Sequence, residues 1–191
     1  TPDQSGAVAE LQEAGCQVTA AAVDVADRPA LAALLAPVRS RLRGVVHAAG
    51  LADLGLLGEQ DAARLEAILR PKVDGAWNLH ELTRGAPLDH FILYSSVGSV
   101  LASPGQSTYA AANGFLDALA GLRRFQGLPA LAVGWTAFTD AGMVLGQQAR
   151  AARLAASGMG TLTTGEGLAH LQRLLSSDLG HVLVLPLDLD R

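Results

Sequence analysis

The sequence predicts an α/β domain built on a parallel sheet. Short apolar runs rich in β-branched residues alternate with segments of helical periodicity, and this strand–helix order recurs along most of the 191 residues. Strands joined through a helix pair in parallel by right-handed crossovers. Half of the residues are hydrophobic and 17% are charged, which suffices for one medium-sized core.

The first half of the chain contains three predicted strands and two helices. A strand over residues 18–23 precedes a helix over residues 28–40, which has a proline in its first turn and Ala and Leu at helical spacing. A short buried strand over 44–47 ends in a turn of small residues. A long helical stretch over about 61–83 then leads to the third strand, HFILYSS, which begins at His90.

The second half continues the alternation. A helix over residues 106–126 precedes the fourth strand, PALAVGW. Two helical patterns, over about 147–157 and 164–176, precede the fifth strand, HVLVLPL. Because no internal repeat, low-complexity tract or linker interrupts the sequence, we expect a single domain over residues 1–191.

Composition and charge disfavour several classes of function. The net charge is −4, and the sequence has no basic run and few aromatic residues, so nucleic acid is not an expected partner. No apolar stretch reaches ~18 residues and the N-terminal residues do not resemble a secretion signal, so we expect no membrane span and a cytoplasmic location. The lone Cys16 has no Cys or His partner at metal-ligand spacing. We expect an inert thiol and no metal site.

The candidate site lies where the third strand gives way to the next helix. Ser95 and Ser96 end the strand, Tyr109 follows 13 residues after Ser96, and Asn113 follows four residues later on the same helix face. Open parallel sheets bind their ligands at the carboxyl ends of strands, where these side chains would converge. Two hydroxyl groups and an amide indicate chemistry on a carbonyl group, with hydride transfer.

Taken singly, these residues have ordinary structural interpretations. A strand-end serine is usually a cap or turn residue, and a helix lysine such as Lys72 is usually a solvated surface charge. A tyrosine at the position of Tyr109 is more often a half-buried packing residue. Asparagine has a low helix propensity, so the presence of Asn113 within a helix calls for a reason other than helix stability. The joint spacing favours the functional interpretation. His47 has no predicted partner and is interpreted as a core residue or one that supports the site.

Longer segments resemble a known family. The segments VDVADRPAL, GVVHAAG, LRPKVDGAWNLHEL, FILYSSVGSVLASPGQSTYAAANGFLDALAGLRRFQGLPA and VGW occur in the order typical of ketoreductase domains of modular (type I) polyketide synthases. These domains belong to the short-chain dehydrogenase/reductase superfamily. The resemblance spans nearly the whole chain and implies a Rossmann-like, doubly wound parallel sheet. It also implies NADPH-dependent reduction of a β-ketoacyl thioester, tethered to an acyl carrier protein, to the β-hydroxyacyl thioester, with neighbouring synthase domains as further partners.

The same resemblance implies that the first two strands and the glycine-rich loop of the fold are absent from this sequence. No G-x-G-x-x-G precedes a helix here. The family's strand order, 3-2-1-4-5-6-7, would leave a two-strand gap of roughly 10 Å or more between the strands near Val23 and Val46. We therefore expect residues 1–191 to be the catalytic part of one ketoreductase domain, whose first strands precede Thr1.

Carried over residue by residue, the resemblance implies four catalytic residues. Tyr109, in YAAAN, would protonate the substrate oxygen, and Ser96 would position that oxygen by a hydrogen bond. Lys72, in RPKVDGAW, would stabilise the phenolate, because an unperturbed tyrosine has a pKa of ~10. Lys72 upstream with Asn113 after the tyrosine reverses the arrangement of most short-chain dehydrogenases, and this reversal favours the polyketide family.

The resemblance also implies a set of cofactor contacts. Asp24 and Val25 would lie near the adenine, and Lys72 and Tyr109 would also contact the cofactor. Small residues would admit the ribose and nicotinamide, and residues after the fourth strand would flank the carboxamide: Ala48, Ala49 and Gly50, then Gly134, Trp135 and Thr136. Two alternatives stay open, since Asp24 could cap the following turn and Trp135 could be an apolar plug under a lid.

The sequence departs from the family at the positions that mark product stereochemistry. The LDD motif of one class reads LADLG, with Asp53 kept and Leu54 in place of the second aspartate, and the tryptophan of the opposite class is Leu101. The hydroxyl configuration is therefore not predicted. After the fourth strand the family's WGxW reads WTAF. Two rival functions remain: a reductase of free small ketones, and a non-catalytic structural domain of a synthase.

Overall fold

The structure, a computed structural model, describes residues 5–51, 55–101, 104–141 and 158–188. Within these ranges four strands form one parallel sheet, in the order in which they occur along the chain. The strands are β1 (Gly44–His47), β2 (His90–Ser96), β3 (Leu131–Trp135) and β4 (His181–Val184). The predicted α/β class with a parallel sheet is confirmed.

Helices connect successive strands and cover both faces of the sheet. In the described part of the chain they are α1 (Ser5–Glu13), α2 (Arg28–Leu35), α3 (Ala62–Lys72), α4 (Asp74–Thr83), α5 (Ser107–Phe125) and α6 (Thr164–Leu175). The predicted helices over 106–126 and 164–176 are confirmed as α5 and α6. The helical pattern predicted over 147–157 lies outside the described residues.

Three of the predicted elements were wrong in part or whole. Residues 18–23 are irregular rather than a strand, because no described strand lies beside them to pair with. The helix predicted over 28–40 ends at Leu35, shortly before Pro37, which lacks an N–H group. The stretch predicted over 61–83 is two helices, α3 and α4, that meet at Val73 just after Pro71.

The sheet separates two buried clusters. Alternate residues of β2 point to opposite faces, so Phe91 and Leu93 pack with Leu116 of α5, whereas Ile92 packs with Val133 of β3 on the other face. A Rossmann-like sheet is covered on both faces in this way. The carboxyl end of β2 therefore lies between two packed layers, where a side chain can be held in a fixed position.

β1 is one of the two edge strands of the described sheet. It pairs with β2, and its Val46 side chain is 62% exposed. The segment around Val23 does not pair with it, and Val23 packs instead against the cluster beneath α4. The expectation that other strands lie between these two segments stays a prediction. In the described residues, no helix combines the length and apolar character needed to cross a membrane.

Candidate active site

The end of β2 and the start of α5 bring together three of the predicted site residues. The Ser96 hydroxyl accepts a hydrogen bond from the Gly98 N–H at 3.1 Å and caps the short 3-10 turn that follows. Tyr109 lies in the first turn of α5 and is 6% exposed, and Asn113 lies one turn later, fully buried. The Ser95 hydroxyl donates to the Asn113 carbonyl at 3.4 Å and ties strand to helix.

Lys72 is the single lysine of the sequence, and it is buried. It is the last residue of α3, only 3% exposed, and its Nζ donates to the Tyr94 carbonyl at 2.9 Å. Burial lowers the pKa of Lys72 from 10.5 to about 8, and the nearby Asp117 carboxylate opposes that shift. The interpretation of Lys72 as a solvated surface charge was therefore wrong. Its ammonium is still mainly charged at neutral pH.

α3, which carries Lys72, packs against α5, which carries Tyr109. The Tyr109 ring packs against Ile68 and Ala112, with Leu69 beside them. Ile68 precedes Lys72 by one helical turn, so both lie on the same face of α3. Lys72 and Tyr109 are 37 residues apart in the sequence, and the helix packing brings their elements together.

Asn113 combines a structural role with an unused acceptor. Its Nδ2 donates to the Tyr109 carbonyl at 2.7 Å, which braces the backbone of the tyrosine. Its Oδ1 is buried and has no hydrogen-bond partner. Since a buried unpaired acceptor is costly, this oxygen points to a donor that comes from a bound molecule or water.

His47 is buried at the carboxyl end of β1, as predicted for a core or supporting residue. Burial lowers its pKa to about 4, and the neighbouring charge of Lys72 adds to this shift. The Pro71 backbone lies close enough to the ring to oppose part of this shift. Nε2 has no hydrogen-bond partner, and the low pKa leaves the ring neutral at pH 7.

The first group of predicted cofactor residues lies in two places, with Asp24 and Val25 against α3 and α4 and the small residues directly after β1. The Asp24 carboxylate accepts from the Ala26 N–H at 2.9 Å and from Arg70 at 3.1 Å, and these two bonds lower its pKa. Asp24 thus does cap the turn that follows it. Val25 is half-buried and Ala48 and Ala49 are exposed. Contact of these residues with a cofactor stays a prediction.

The second group lies at and after the end of β3. A Cβ at Gly134 would lie 3.3 Å from the Ser96 backbone and 2.5 Å from Leu183 Cδ2, so the glycine lets β3 pack closely behind Ser96. Trp135 is buried between Tyr94 and Phe138, with ring centroids 5.5 and 5.6 Å away, as an apolar plug would be. The Thr136 hydroxyl donates to the Gly160 carbonyl at 2.7 Å. Their cofactor contacts stay predictions.

Two of the positions that mark stereochemistry, Asp53 and Leu54, lie outside the described residues. Leu101, at the third such position, is 40% exposed just after the turn that follows β2. The part of the chain that the structure describes holds no cluster of three or more His, Cys, Asp or Glu side chains that could bind a metal ion.

Sequence reasoning missed two groups of this site. Asp117 acts on the charge of Lys72, and the Tyr94 carbonyl accepts its hydrogen bond. Asp117 follows Asn113 by four residues, as Asn113 follows Tyr109, so the spacing already places all three on one helix face. The sequence has one lysine among its fourteen Lys and Arg residues, and this was a second signal, not used, that Lys72 is unusual.

Comparison with known proteins gives a consistent result. The family model described as "KR domain" matches residues 1–140. The chain is 46% identical over 193 residues to polyketide synthase GfsA of Streptomyces halstedii, covering 99% of the chain and 3% of that protein. It is 47% identical over 184 residues to erythronolide synthase EryA2 of Saccharopolyspora erythraea, covering 96% of the chain and 5% of that protein. The chain thus spans a few per cent of the length of these relatives.

Solved structures agree in fold. A structure titled "Structure of A-type Ketoreductases from Modular Polyketide Synthase" superposes with a TM-score of 0.93 at 39% identity, over 98% of this chain and 40% of that one. "Structure of A1-type ketoreductase" superposes with a TM-score of 0.92 at 38% identity, over 98% of this chain and 40% of that one. The chain therefore matches a part of each solved ketoreductase.

Proposed function

The chain belongs to the KR domain family of polyketide synthases, and from this premise we propose that it reduces a carrier-bound β-ketoacyl thioester to the β-hydroxyacyl thioester with NADPH. One observation carries the proposal. Four side chains of the types needed for carbonyl reduction, Lys72, Ser96, Tyr109 and Asn113, are buried or nearly so at the carboxyl edge of the sheet.

Ser96 and Tyr109 act on the substrate oxygen in this proposal. Because the Ser96 oxygen already accepts from the Gly98 N–H, its own proton is left to donate. That proton would hold the carbonyl oxygen beside the phenol of Tyr109. As negative charge develops on the oxygen, Tyr109 gives up its proton and the alcohol forms.

Lys72 lowers the cost of that proton transfer. A buried ammonium stabilises a neighbouring phenolate more strongly than a solvated one, because little water screens the charge. Burial of Lys72 at 3% exposure and its fixed bond to the Tyr94 carbonyl keep the charge in one place. Asp117 opposes loss of the charge, so Lys72 stays protonated at neutral pH.

The residues present fit a dinucleotide cofactor. The unpaired Asn113 Oδ1 offers an acceptor in the site, and the exposed Ala48 and Ala49 leave open space at the end of β1. Asp24, Val25, Gly50, Gly134, Trp135 and Thr136 are the other residues proposed to hold it. The chemistry expected of NADPH is supply of a hydride to the carbonyl carbon.

The surroundings of the domain follow from the same premise. We propose that an acyl carrier protein delivers the substrate and that neighbouring synthase domains adjoin this chain, as in the long synthases of which it spans 3% to 5%. The edge of β1 that no described strand pairs with supports a second point, that further strands complete the sheet of the intact domain. We expect a cytoplasmic location.

The test is an assay of NADPH oxidation by the full-length protein. We expect turnover with a β-ketoacyl N-acetylcysteamine thioester or carrier-bound thioester, and much weaker turnover with small free ketones of matched carbonyl chemistry. Faster reduction of the free ketones would favour the rival general reductase. Neither NADPH binding nor turnover would favour the rival structural domain.

A further inference from the structure

The end of β1 encloses the side chain of Lys72. A Cβ placed on Gly50 would lie 2.7 Å from Lys72 Cε and 3.3 Å from Nζ, so a side chain at position 50 would require the end of the lysine stem to shift. In the described residues, φ is positive at only four glycines, and Gly50 is not one of them. The glycine therefore leaves room for the lysine stem, and no left-handed backbone conformation requires it.

His47 holds the backbone next to the same lysine. The buried His47 imidazole lies against the Pro71 backbone, one residue before Lys72, in the turn where α3 gives way to α4. Pro71 has no N–H, so the helix lacks one backbone bond there. The histidine thus supplies a contact to a helix end that is weakly held by its own hydrogen bonds.

The sheet register brings both contacts to one point. His47 of β1 is paired with Leu93 of β2, and the next carbonyl along β2, that of Tyr94, accepts the bond from Lys72 Nζ at 2.9 Å. The lysine is therefore fixed at its backbone by His47, along its stem by Gly50 and at its ammonium by β2.

We propose that His47 and Gly50 are positioning residues that form the seat of Lys72, and that without either one the ammonium leaves the Tyr94 carbonyl for solvent. This inference rests on the catalytic role proposed for Lys72. It adds placement of the lysine to the cofactor contact already proposed for Gly50. Both residues act through Lys72.

The groups that face the ammonium define how the site responds to pH. From β1 comes the neutral His47, from β2 the uncharged Tyr94 carbonyl, and from α5 the Asp117 carboxylate, with the Tyr109 ring on the same helix. An ammonium that leaves its seat regains water, and its pKa rises toward the value of free lysine. The alkaline limb of the pH–rate profile then moves upward.

The first readout is acylation of Lys72 by acetic anhydride in the full-length protein, followed on the peptide that carries residue 72. Because only the neutral amine reacts and its pKa changes with burial, rates are measured over a range of pH and the rate constant of the neutral amine is compared. In the unmodified protein the buried amine reacts slowly. Gly50→Ala should raise the rate about tenfold or more, since overpacking displaces the stem. Gly121→Ala is the matched control, because a Cβ there meets nothing within 4 Å. This readout needs neither cofactor nor turnover, so it tests the seat even if the proposed reduction fails.

The second readout separates positioning from simple destabilisation. His47→Leu removes the polar group that faces the Pro71 backbone, whereas the amide of His47→Asn keeps a polar group near the position of Nδ1. We expect His47→Leu to lower kcat about tenfold with little change in KM. It should also move the alkaline limb of the pH–rate profile to higher pH and raise the acylation rate constant of Lys72. His47→Asn should bring kcat, the alkaline limb and the acylation rate constant back toward those of the unmodified protein. His90→Leu, at an exposed histidine, should change none of these three quantities.

Unchanged Lys72 acylation in Gly50→Ala would overturn the proposal. So would a His47→Asn variant that behaves as His47→Leu does in acylation rate and pH profile. If Gly50→Ala does not fold, by circular dichroism, the two His47 variants decide the question alone.

Discussion

Replacing Lys72 by methionine should change how the stability of the protein depends on pH. Burial lowers the pKa of Lys72 from 10.5 to about 8. A tenfold change in proton affinity is worth about 1.4 kcal/mol, so the charged lysine destabilises the folded state by about 3 kcal/mol relative to the neutral one. Methionine has a similar length and no charge, so it removes this dependence.

The folded and unfolded pKa values of Lys72 determine whether stability rises or falls with pH. Below about pH 8 the lysine is protonated in both the folded and the unfolded state, and the full cost of burying the charge is present. Between about pH 8 and 10.5 the folded state loses the proton while the unfolded state keeps it, so the free energy of unfolding rises with pH. Above that range both forms are neutral and the gain is complete.

The assay is urea unfolding of the unmodified protein and Lys72→Met at about pH 7 and about pH 10. The difference in unfolding free energy between the two proteins should move by about 2–3 kcal/mol in favour of the unmodified protein at the higher pH. Because both proteins carry the same tyrosines, subtracting their unfolding free energies removes the contribution of tyrosine ionisation. Arg173→Met, at an exposed arginine, should show no such movement. Parallel pH curves for the unmodified protein and Lys72→Met would refute the reasoning, because they would mean that Lys72 is solvated.

Three further outcomes are expected. Tyr109→Phe should lower turnover by about 10² or more and leave the NADPH dissociation constant within a few-fold, because the phenol acts on the reacting oxygen; near-normal turnover would remove Tyr109 from the acid role. His47→Asn should lose less stability in acid, because the pKa of His47 is lowered from 6.5 to about 4 and the unfolded state therefore takes up a proton first as pH falls through that window. Equal acid slopes in urea unfolding of the two proteins would contradict this. Gly134→Ala should destabilise the protein by about 1–3 kcal/mol, since the new Cβ would press on Leu183 and the Ser96 backbone, and Gly121→Ala should not; equal unfolding midpoints for the two variants would show that β3 can shift without cost.

Much of the fold was predictable because strand and helix periodicities are local. β1 and β2 have the predicted bounds, since apolar β-branched runs bounded by small or polar residues leave little ambiguity. Residues 18–23 carry the same kind of run and are not a strand, because a strand also needs a partner, which is a non-local property. The break between α3 and α4 was in principle readable from Pro71.

The site was predictable to the extent that its residues share an element. Tyr109 and Asn113 lie on one helix, and their spacing alone places them on one face. The burial of Lys72 was not predictable from spacing, since it depends on how α3 packs against α5 and on the room left by Gly50. Nor does the sequence show that the Trp135 ring packs against Tyr94 and Phe138, because that contact depends on which face of the sheet the ring occupies.

The central claim, carbonyl reduction at the edge formed by Ser96, Tyr109 and Lys72, is tested most directly by following the transferred hydrogen. The full-length protein is supplied with NADPH deuterated at the transferred position of the nicotinamide and with a β-ketoacyl thioester, and the product is analysed by mass spectrometry. We predict a β-hydroxyacyl thioester with one deuterium on the β-carbon, and loss of that product in Tyr109→Phe. An unreduced thioester, or the same labelled product at an undiminished rate in Tyr109→Phe, would contradict the account.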